Sequence, residues 1–440
     1  MNKLIKDIGT TLLGEIGLFI LSFILGVITA RVFGPVGKGE LGIIVGSSGL
    51  LSIIFSGKFQ RTITYFLASH KAKYNEIILP FIIIATLAIS ISYILFVYFS
   101  DFFAKYVYKN LDISFDLIFI LMISNIFWSI IPSIYAGFGK FTSRSIFFFV
   151  SYAIKVIITL ILLFIYEFNV IAYITYLTML EIVIYFIWFI NLNHKKITLT
   201  LNIPKFISMC KYNLLGYFGV ITDLITLRID IFFLNYFSGL AQVGVYTLSV
   251  SLANFLSYIP TAIKSVLLPY IANENQFTQS SSKITIKITQ ISFLMLISIG
   301  LILFLLINFF LIPIYGINFQ ESIKLFAILI PGTIFWGEYS ILAADLEGRN
   351  MPIVVSICSF IGGFITIILD ILLIPAFGAT GAALASSIAY FFSFLILSII
   401  FSKITKEKFA YILFPSLETI KITKRILMDF LYNLKVNKYG

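Results

Sequence analysis

The first long block of the chain reads Ile8-Gly9-Thr10-Thr11-Leu12-Leu13-Gly14-Glu15-Ile16-Gly17-Leu18-Phe19-Ile20-Leu21-Ser22-Phe23-Ile24-Leu25-Gly26-Val27-Ile28. One side chain in it ionises, Glu15. About twenty apolar residues cross a hydrocarbon core as a helix. The block is too long for the apolar region of a signal peptide, and Glu15 does not belong in one. It reads as a membrane span that is retained. Working outward, the same kind of block recurs almost without pause. Spans are predicted at 8–29, 41–67, 77–100, 113–137, 143–166, 169–191, 207–237, 240–271, 284–315, 321–346, 352–375 and 378–402. Apolar residues make up 60% of the 440 and charged residues 12%, with a mean hydropathy of +1.04. No water-soluble surface hides that much apolar area. The expected fold is all-α and polytopic, with about twelve transmembrane helices.

The charge of +11 is mostly topology. With the N-terminus placed in the cytoplasm, inner segments hold twenty Lys and Arg, among them Lys71, Lys73, Lys195, Lys196 and eight in the tail. Outer loops hold five: Arg31, Lys38, Lys105, Lys109 and Lys324. That asymmetry puts both termini in the cytoplasm. It also removes the case for a nucleic-acid patch. From about 411 to 435, Leu417, Ile420, Leu427, Leu431 and Leu434 recur at helical spacing among Lys421, Lys424 and Arg425. This is the pattern of a basic amphipathic helix on an anionic leaflet.

The chain repeats at half length. Leu12-Leu13-Gly14-Glu15-Ile16-Gly17 matches Leu214-Leu215-Gly216-Tyr217-Phe218-Gly219, offset by 202. Gly42 matches Gly244 at the same offset. Ile126-Phe127-Trp128 matches Ile334-Phe335-Trp336 at 208, and Gly139-Lys140 matches Gly348-Arg349 at 209. Four matches in order mark a duplication. Six spans per copy is even, so the two copies are parallel. The expected organisation is a six-helix bundle over 1–195, a second over 206–402, and a basic amphipathic cytoplasmic tail over 403–440. Two such bundles around a cleft suit alternating access.

Little points to catalysis. Gly37-Lys38-Gly39-Glu40-Leu41-Gly42 fits G-x-G-x-x-G, but it follows a membrane helix rather than a strand, and reads as a tight glycine turn. No phosphate-cradling G-x-x-x-x-G-K-[ST] occurs. The two cysteines and the isolated His70 and His194 argue for neither a disulfide framework nor a metal site. No enzyme activity and no cofactor are expected.

Ionisable residues inside spans are the functional candidates, because each costs about 2.5–3.5 kcal/mol at a helix centre. Lys58 and Arg61 lie three apart on one helix face. Lys264 falls one residue from the repeat equivalent of Arg61. Together they describe a positively lined cleft, or cations snorkelling to the inner surface. Lys155 and Glu181 lie mid-span in adjacent helices, as a structural ion pair or as substrate contacts. Asp223, Arg228 and Asp230 load the seventh helix, which must face water or partners. Glu15, Glu181, Asp223 and Asp230 are candidates for coupling-ion or structural charges, and Glu338 and Asp370 are further lone carboxylates.

Several motifs carry a family likeness. These are Ala30-Arg31-Val32-Phe33-Gly34-Pro35-Val36-Gly37-Lys38-Gly39-Glu40-Leu41-Gly42, Val243-Gly244-Val245-Tyr246 and Leu268-Pro269-Tyr270-Ile271-Ala272. Tyr315-Gly316, Gly348-Arg349 and Ala376-Phe377-Gly378-Ala379-Thr380-Gly381-Ala382-Ala383 follow in order. The set, over about 30–400, resembles the Wzx-type polysaccharide flippases, in the superfamily of the MATE multidrug exporters and the lipid II flippase. The resemblance implies a flippase that moves an undecaprenyl-diphosphate-linked oligosaccharide from the inner to the outer leaflet of a bacterial cytoplasmic membrane. It implies a diphosphate-binding cleft, for which this chain offers Lys58, Arg61, Lys264, Arg228 and Lys155. It also implies headgroup contacts from the first helix, where this chain has only Glu15 and an outer Arg31. Proton, sodium or membrane-potential coupling and work beside a glycan polymerase and glycosyltransferases belong to the same expectation. The competing reading is a cation-coupled MATE-type exporter of drugs or metabolites.

Overall fold

Inside hydrocarbon, backbone polar groups must bond within their own segment, so blocks of this length become helices. The computed structural model describes residues 2–56, 59–108, 111, 113, 115–165, 169–192, 200–273, 279–413 and 419–420. Every regular element among them is helical. They are α1 (Asn2–Ser56), α2 (Phe59–Ala68), α3 (Tyr74–Tyr98) and a single turn α4 (Ser100–Phe102) that runs into a π turn (Phe103–Tyr108). Next come α5 (Phe115–Gly137), α6 (Phe141–Ile165), α7 (Val170–Leu192), α8 (Ile203–Ser238) and α9 (Leu240–Ala253). A 3-10 turn (Asn254–Ser257) leads into α10 (Tyr258–Asn273). The rest are α11 (Gln279–Tyr315), α12 (Glu321–Gly348), α13 (Pro352–Thr405) and α14 (Phe409–Leu413). Nine stretches among the described residues are long and apolar enough to cross a membrane. Two of them, in α1 and α13, break midway at Gly34 (φ 63, ψ −170) and Gly378 (φ 54, ψ −132). Allowing for both breaks and for the 36-residue α8, the architecture is compatible with the twelve predicted spans.

The breaks are local chemistry. Gly34 takes a left-handed φ that other residues resist. Pro35 then starts the next limb, where its fixed φ suits a first helical turn and its missing N–H is not needed. Gly239 (φ 83, ψ 174) separates α8 from α9 with nearly the same backbone. From Gly34 to Gly239 is 205 residues, inside the 202–209 offset of the sequence repeat. The tryptophan match survives in three dimensions too. Trp128 packs on Tyr185 with ring centroids 5.7 Å apart, and Trp336 packs on Tyr390 at 5.2 Å.

One expectation is corrected here. Residues 37–42 do not form a turn. The chain breaks at Gly34, and the three glycines lie on a helix, where they are a packing face. A Cβ on Gly37 would meet Phe33 Cβ at 2.6 Å, one on Gly39 the Leu240 carbonyl oxygen at 2.1 Å, and one on Gly42 Thr247 Cγ2 at 2.8 Å. Small residues let membrane helices approach this closely. Gly244 answers from α9: a Cβ there would lie 1.8 Å from the Pro35 carbonyl oxygen. The α1 limb over 35–56 therefore touches α9 backbone to backbone.

The outward faces carry apolar side chains such as Leu301, Phe309, Phe364 and Leu372, all exposed as lipid contacts would be. Polar residues turn inward. α1 packs along α5, α6, α9 and α10, and α13 packs along α8 and α12. Of the tail, α14 is described, and Gln290 on α11 donates to the Tyr411 carbonyl. Thr419 Oγ1 donates to Gln290 Oε1 at 2.6 Å. Most of the amphipathic segment expected over 411–435 lies outside the described residues.

Candidate functional site

A cavity of about 440 Å³ lies at the centre of the bundle. α1 supplies Ser22, Thr29, Lys38 and Ser48 to its wall. α5 supplies Ser124 and Asn125, α6 Tyr152 and Lys155, and α7 Tyr173, Thr178 and Glu181. Arg228 of α8, and Thr247 and Ser251 of α9, face them from the second half of the chain. An interior this polar is expensive in a membrane unless it meets water or a polar ligand.

Four charges line the wall among the described residues: Lys38, Lys155, Glu181 and Arg228. Two neutralise each other. Lys155 Nζ lies 2.8 Å from Glu181 Oε1. The ammonium also sits 4.8 Å from the ring centre of Trp128 and 5.0 Å from that of Tyr152. Glu181 Oε2 accepts from Ser124 Oγ at 2.9 Å and from the Tyr185 hydroxyl at 3.4 Å. Lys38 Nζ donates to Thr29 Oγ1, at 3.1 Å. Lys38 and Arg228, one from each half of the chain, therefore leave the cavity positive. Lys38 is a residue that sequence reasoning missed. Its glycine-rich surroundings suggest an outer loop, whereas the break at Gly34 places it inside a helix.

The other candidates fall elsewhere. Arg61 lies outside the cavity and forms an ion pair with Glu347 at the end of α12. Lys264 is half-buried on α10 and does not line the cavity. Lys58 and the side chains of Glu15 and Asp223 lie outside the described residues. Asp230 is buried away from the wall. It accepts from the Tyr246 hydroxyl, from Ser386 Oγ at 3.1 Å and from the Ile231 amide at 2.8 Å. Asp370 of α13 is fully buried and interacts electrostatically with Asp230. Neither of its carboxylate oxygens has a hydrogen-bond partner among the described residues.

Close helix contacts flank the cavity. Away from the lysine-rich end, Gly39 and Gly244 close the approach of α1 to α9. There, Arg31 Nε also donates to the Ile314 carbonyl at 2.7 Å. At the lysine-rich end, Tyr65 of α2 stacks on Tyr212 of α8 with centroids 4.5 Å apart and planes 5° from parallel. Lys205 Nζ reaches Glu76 Oε2 at 2.7 Å beside them.

Residues 4–275 match the model of a family described as polysaccharide biosynthesis protein. The chain belongs to that family. The likeness read from the sequence motifs is thereby borne out. A curated relative, an uncharacterized membrane protein of Methanocaldococcus jannaschii, is 25% identical over 210 residues. That match covers 47% of this chain and 41% of the relative's own length. Among solved structures, this polysaccharide biosynthesis family member resembles the lipid II flippase MurJ in an inward closed conformation. The TM-score is 0.64 at 18% identity, over 97% of this chain and 93% of that one. It also resembles the MATE multidrug transporter DinF-BH, with a TM-score of 0.68 at 16% identity over 91% and 95% of the two chains. A Vibrio cholerae MATE transporter gives 0.65 at 12% over 93% and 98%. The fold is thus shared with MurJ and the MATE transporters, as the sequence led us to expect.

Proposed function

We propose that this protein flips a polyprenyl-diphosphate-linked oligosaccharide from the inner to the outer leaflet of a bacterial cytoplasmic membrane. The glycan then feeds cell-surface polysaccharide synthesis. The observation that carries the reading is the cavity's charge. Lys38 and Arg228 face it from opposite halves of the chain, and the one carboxylate among its described lining residues, Glu181, is paired with Lys155. A diphosphate diester brings two negative charges and several acceptor oxygens, which a guanidinium can grip in pairs. Hydroxyl and amide side chains such as Ser124, Asn125 and Ser251 suit sugar hydroxyls. An exporter of cationic drugs would be served by the opposite sign.

In this reading the bundles over 1–195 and 206–402 rock about the cavity, and both termini lie in the cytoplasm. Coupling to a proton or sodium gradient, or to the membrane potential, falls to the Asp230 and Asp370 pair. A fully buried carboxylate without a partner is stable only when it holds a proton or a cation. Glycosyltransferases and a glycan polymerase would act before and after the step.

The test is reconstitution. In proteoliposomes, the purified protein should move a fluorescent polyprenyl-diphosphate oligosaccharide to the leaflet that a membrane-impermeant quencher reaches. Export of a cationic dye with no movement of the lipid-linked glycan would overturn the assignment.

A further inference from the structure

Arg61 was expected to meet the diphosphate. In the structure an internal carboxylate occupies it. Arg61 on α2 and Glu347 on α12 lie 286 residues apart, in opposite halves of the chain, and form an ion pair at the lysine-rich end. The surroundings hold Glu347 in place. Its carbonyl accepts from the Tyr212 hydroxyl at 3.2 Å. The next residue, Gly348, packs so tightly on α10 that a Cβ would lie 2.9 Å from Ile271 Cβ. Tyr212 stacks on Tyr65, and Lys71 Nζ reaches the Tyr65 hydroxyl at 2.5 Å. The stack is neutral, and among the described residues the ion pair is a charged link between α2 and α12.

The two partners differ in access. The Arg61 side chain is 20% exposed and that of Glu347 2%. An anion arriving from water can reach the cation but not the carboxylate. Glu347 Oε2 has no hydrogen-bond partner among the described residues, so the carboxylate depends on Arg61 for its charge. Taking Arg61 away leaves a buried, uncompensated charge, a state the site tolerates only by admitting water. Admitting water there means drawing the end of α12 away from Arg61.

We infer that Glu347 stands in for the substrate headgroup on Arg61, and that this end of the cavity opens only when a diphosphate displaces it. The inference rests on the flippase reading above. A diphosphate outcompetes a carboxylate through its second charge and its extra acceptors. A monophosphate competes less well, and an uncharged polyprenol not at all. Glu347 thereby sets a charge threshold for entry and keeps the lysine-rich end shut when no headgroup is present.

The experiment places spin labels at Ser69 and Asn350, just beyond α2 and α12, in full-length protein with Cys210 and Cys358 replaced by serine. The probes are farnesyl diphosphate, farnesyl monophosphate and farnesol, which share one tail, and calorimetry measures their binding. The diphosphate should lengthen the label spacing, the monophosphate should do so less, and farnesol should leave it unchanged. Glu347→Gln should be long without any ligand and should bind the diphosphate about tenfold tighter, as expected when an internal competitor is removed. The swap Arg61→Glu with Glu347→Arg should stay short with every probe, because its cation is now the buried partner. A short Glu347→Gln spacing, or a swap that opens like the wild type, overturns the inference. So does wild-type protein that binds the diphosphate without a change in spacing, and that result leaves the flippase reading standing. Wild-type protein that binds none of the three probes overturns both.

Discussion

At 2.8 Å from Glu181, the Lys155 ammonium also lies beside the faces of Trp128 and Tyr152. Each partner makes the other's charge tolerable at mid-span. Lys155→Ala should therefore lower stability by about 3 kcal/mol, at the lower end for such a loss, because Ser124 and Tyr185 still donate to Glu181. The double variant Lys155→Met with Glu181→Gln should recover most of it. Thermal unfolding in one detergent checks both. If Lys155→Ala melts like the wild type, the pair has no structural role. At this scale the sequence was informative where a charge stood in mid-span, as Lys155, Glu181 and Arg228 do. It misled where a charge stood near a boundary. The glycines around Lys38 resemble a loop but lie on a helix. Glu347 drew no attention because it falls at a helix end, and its partner is 286 residues away. Local spacing does not encode a contact of that kind.

Helix boundaries turn on whether a glycine bends the chain or lets a neighbour approach. Gly34 and Gly239 bend it, with φ of 63° and 83°. Gly39 and Gly244 pack. Gly244→Ala should force α9 away from Pro35 and cost about 1–3 kcal/mol, as overpacking does. Gly49→Ala is the matched control. Nothing lies within 4 Å of the position a Cβ would take there. Alanine should help that helix by up to about 1 kcal/mol. Melting curves of the two variants, with transport measured alongside, should separate them; equal behaviour would remove the packing role given to the G-x-G-x-x-G stretch. That the chain is a series of membrane-length helices could be read from hydropathy, which records length. The roles of individual glycines could not, because a turn and a packing face use the same residue.

For the whole molecule, the repeat announced two similar halves, and the matched Trp–Tyr contacts and glycine breaks display it in three dimensions. Nothing in the sequence disclosed which helix contacts would flank the cavity, since that depends on which of several packings the helices adopt. The closure away from the lysine-rich end can be trapped. Cysteines at Val36 and Leu240, or at neighbouring positions in each segment, should form a disulfide, because bridged Cα atoms must come within about 7 Å. Non-reducing electrophoresis reads the bond. Flipping should stop when it forms and resume on reduction. Full-rate flipping by crosslinked protein would mean that this end does not open during the cycle.

The single-residue connections at Gly34 and Gly239 carry a mechanical meaning. A long loop would let one helix tilt while its neighbour stayed still. One residue gives no slack, so the arms on either side of Gly34 act as a single lever, as do α8 and α9 about Gly239. The arm that begins at Pro35 carries Lys38, and the chain reaches Arg61 soon after that arm ends. A displacement of the lysine-rich end is therefore felt at once at the far end, where Gly39 meets α9. The rigidity of those two corners would keep the ends from opening together, and no separate signal between them is required.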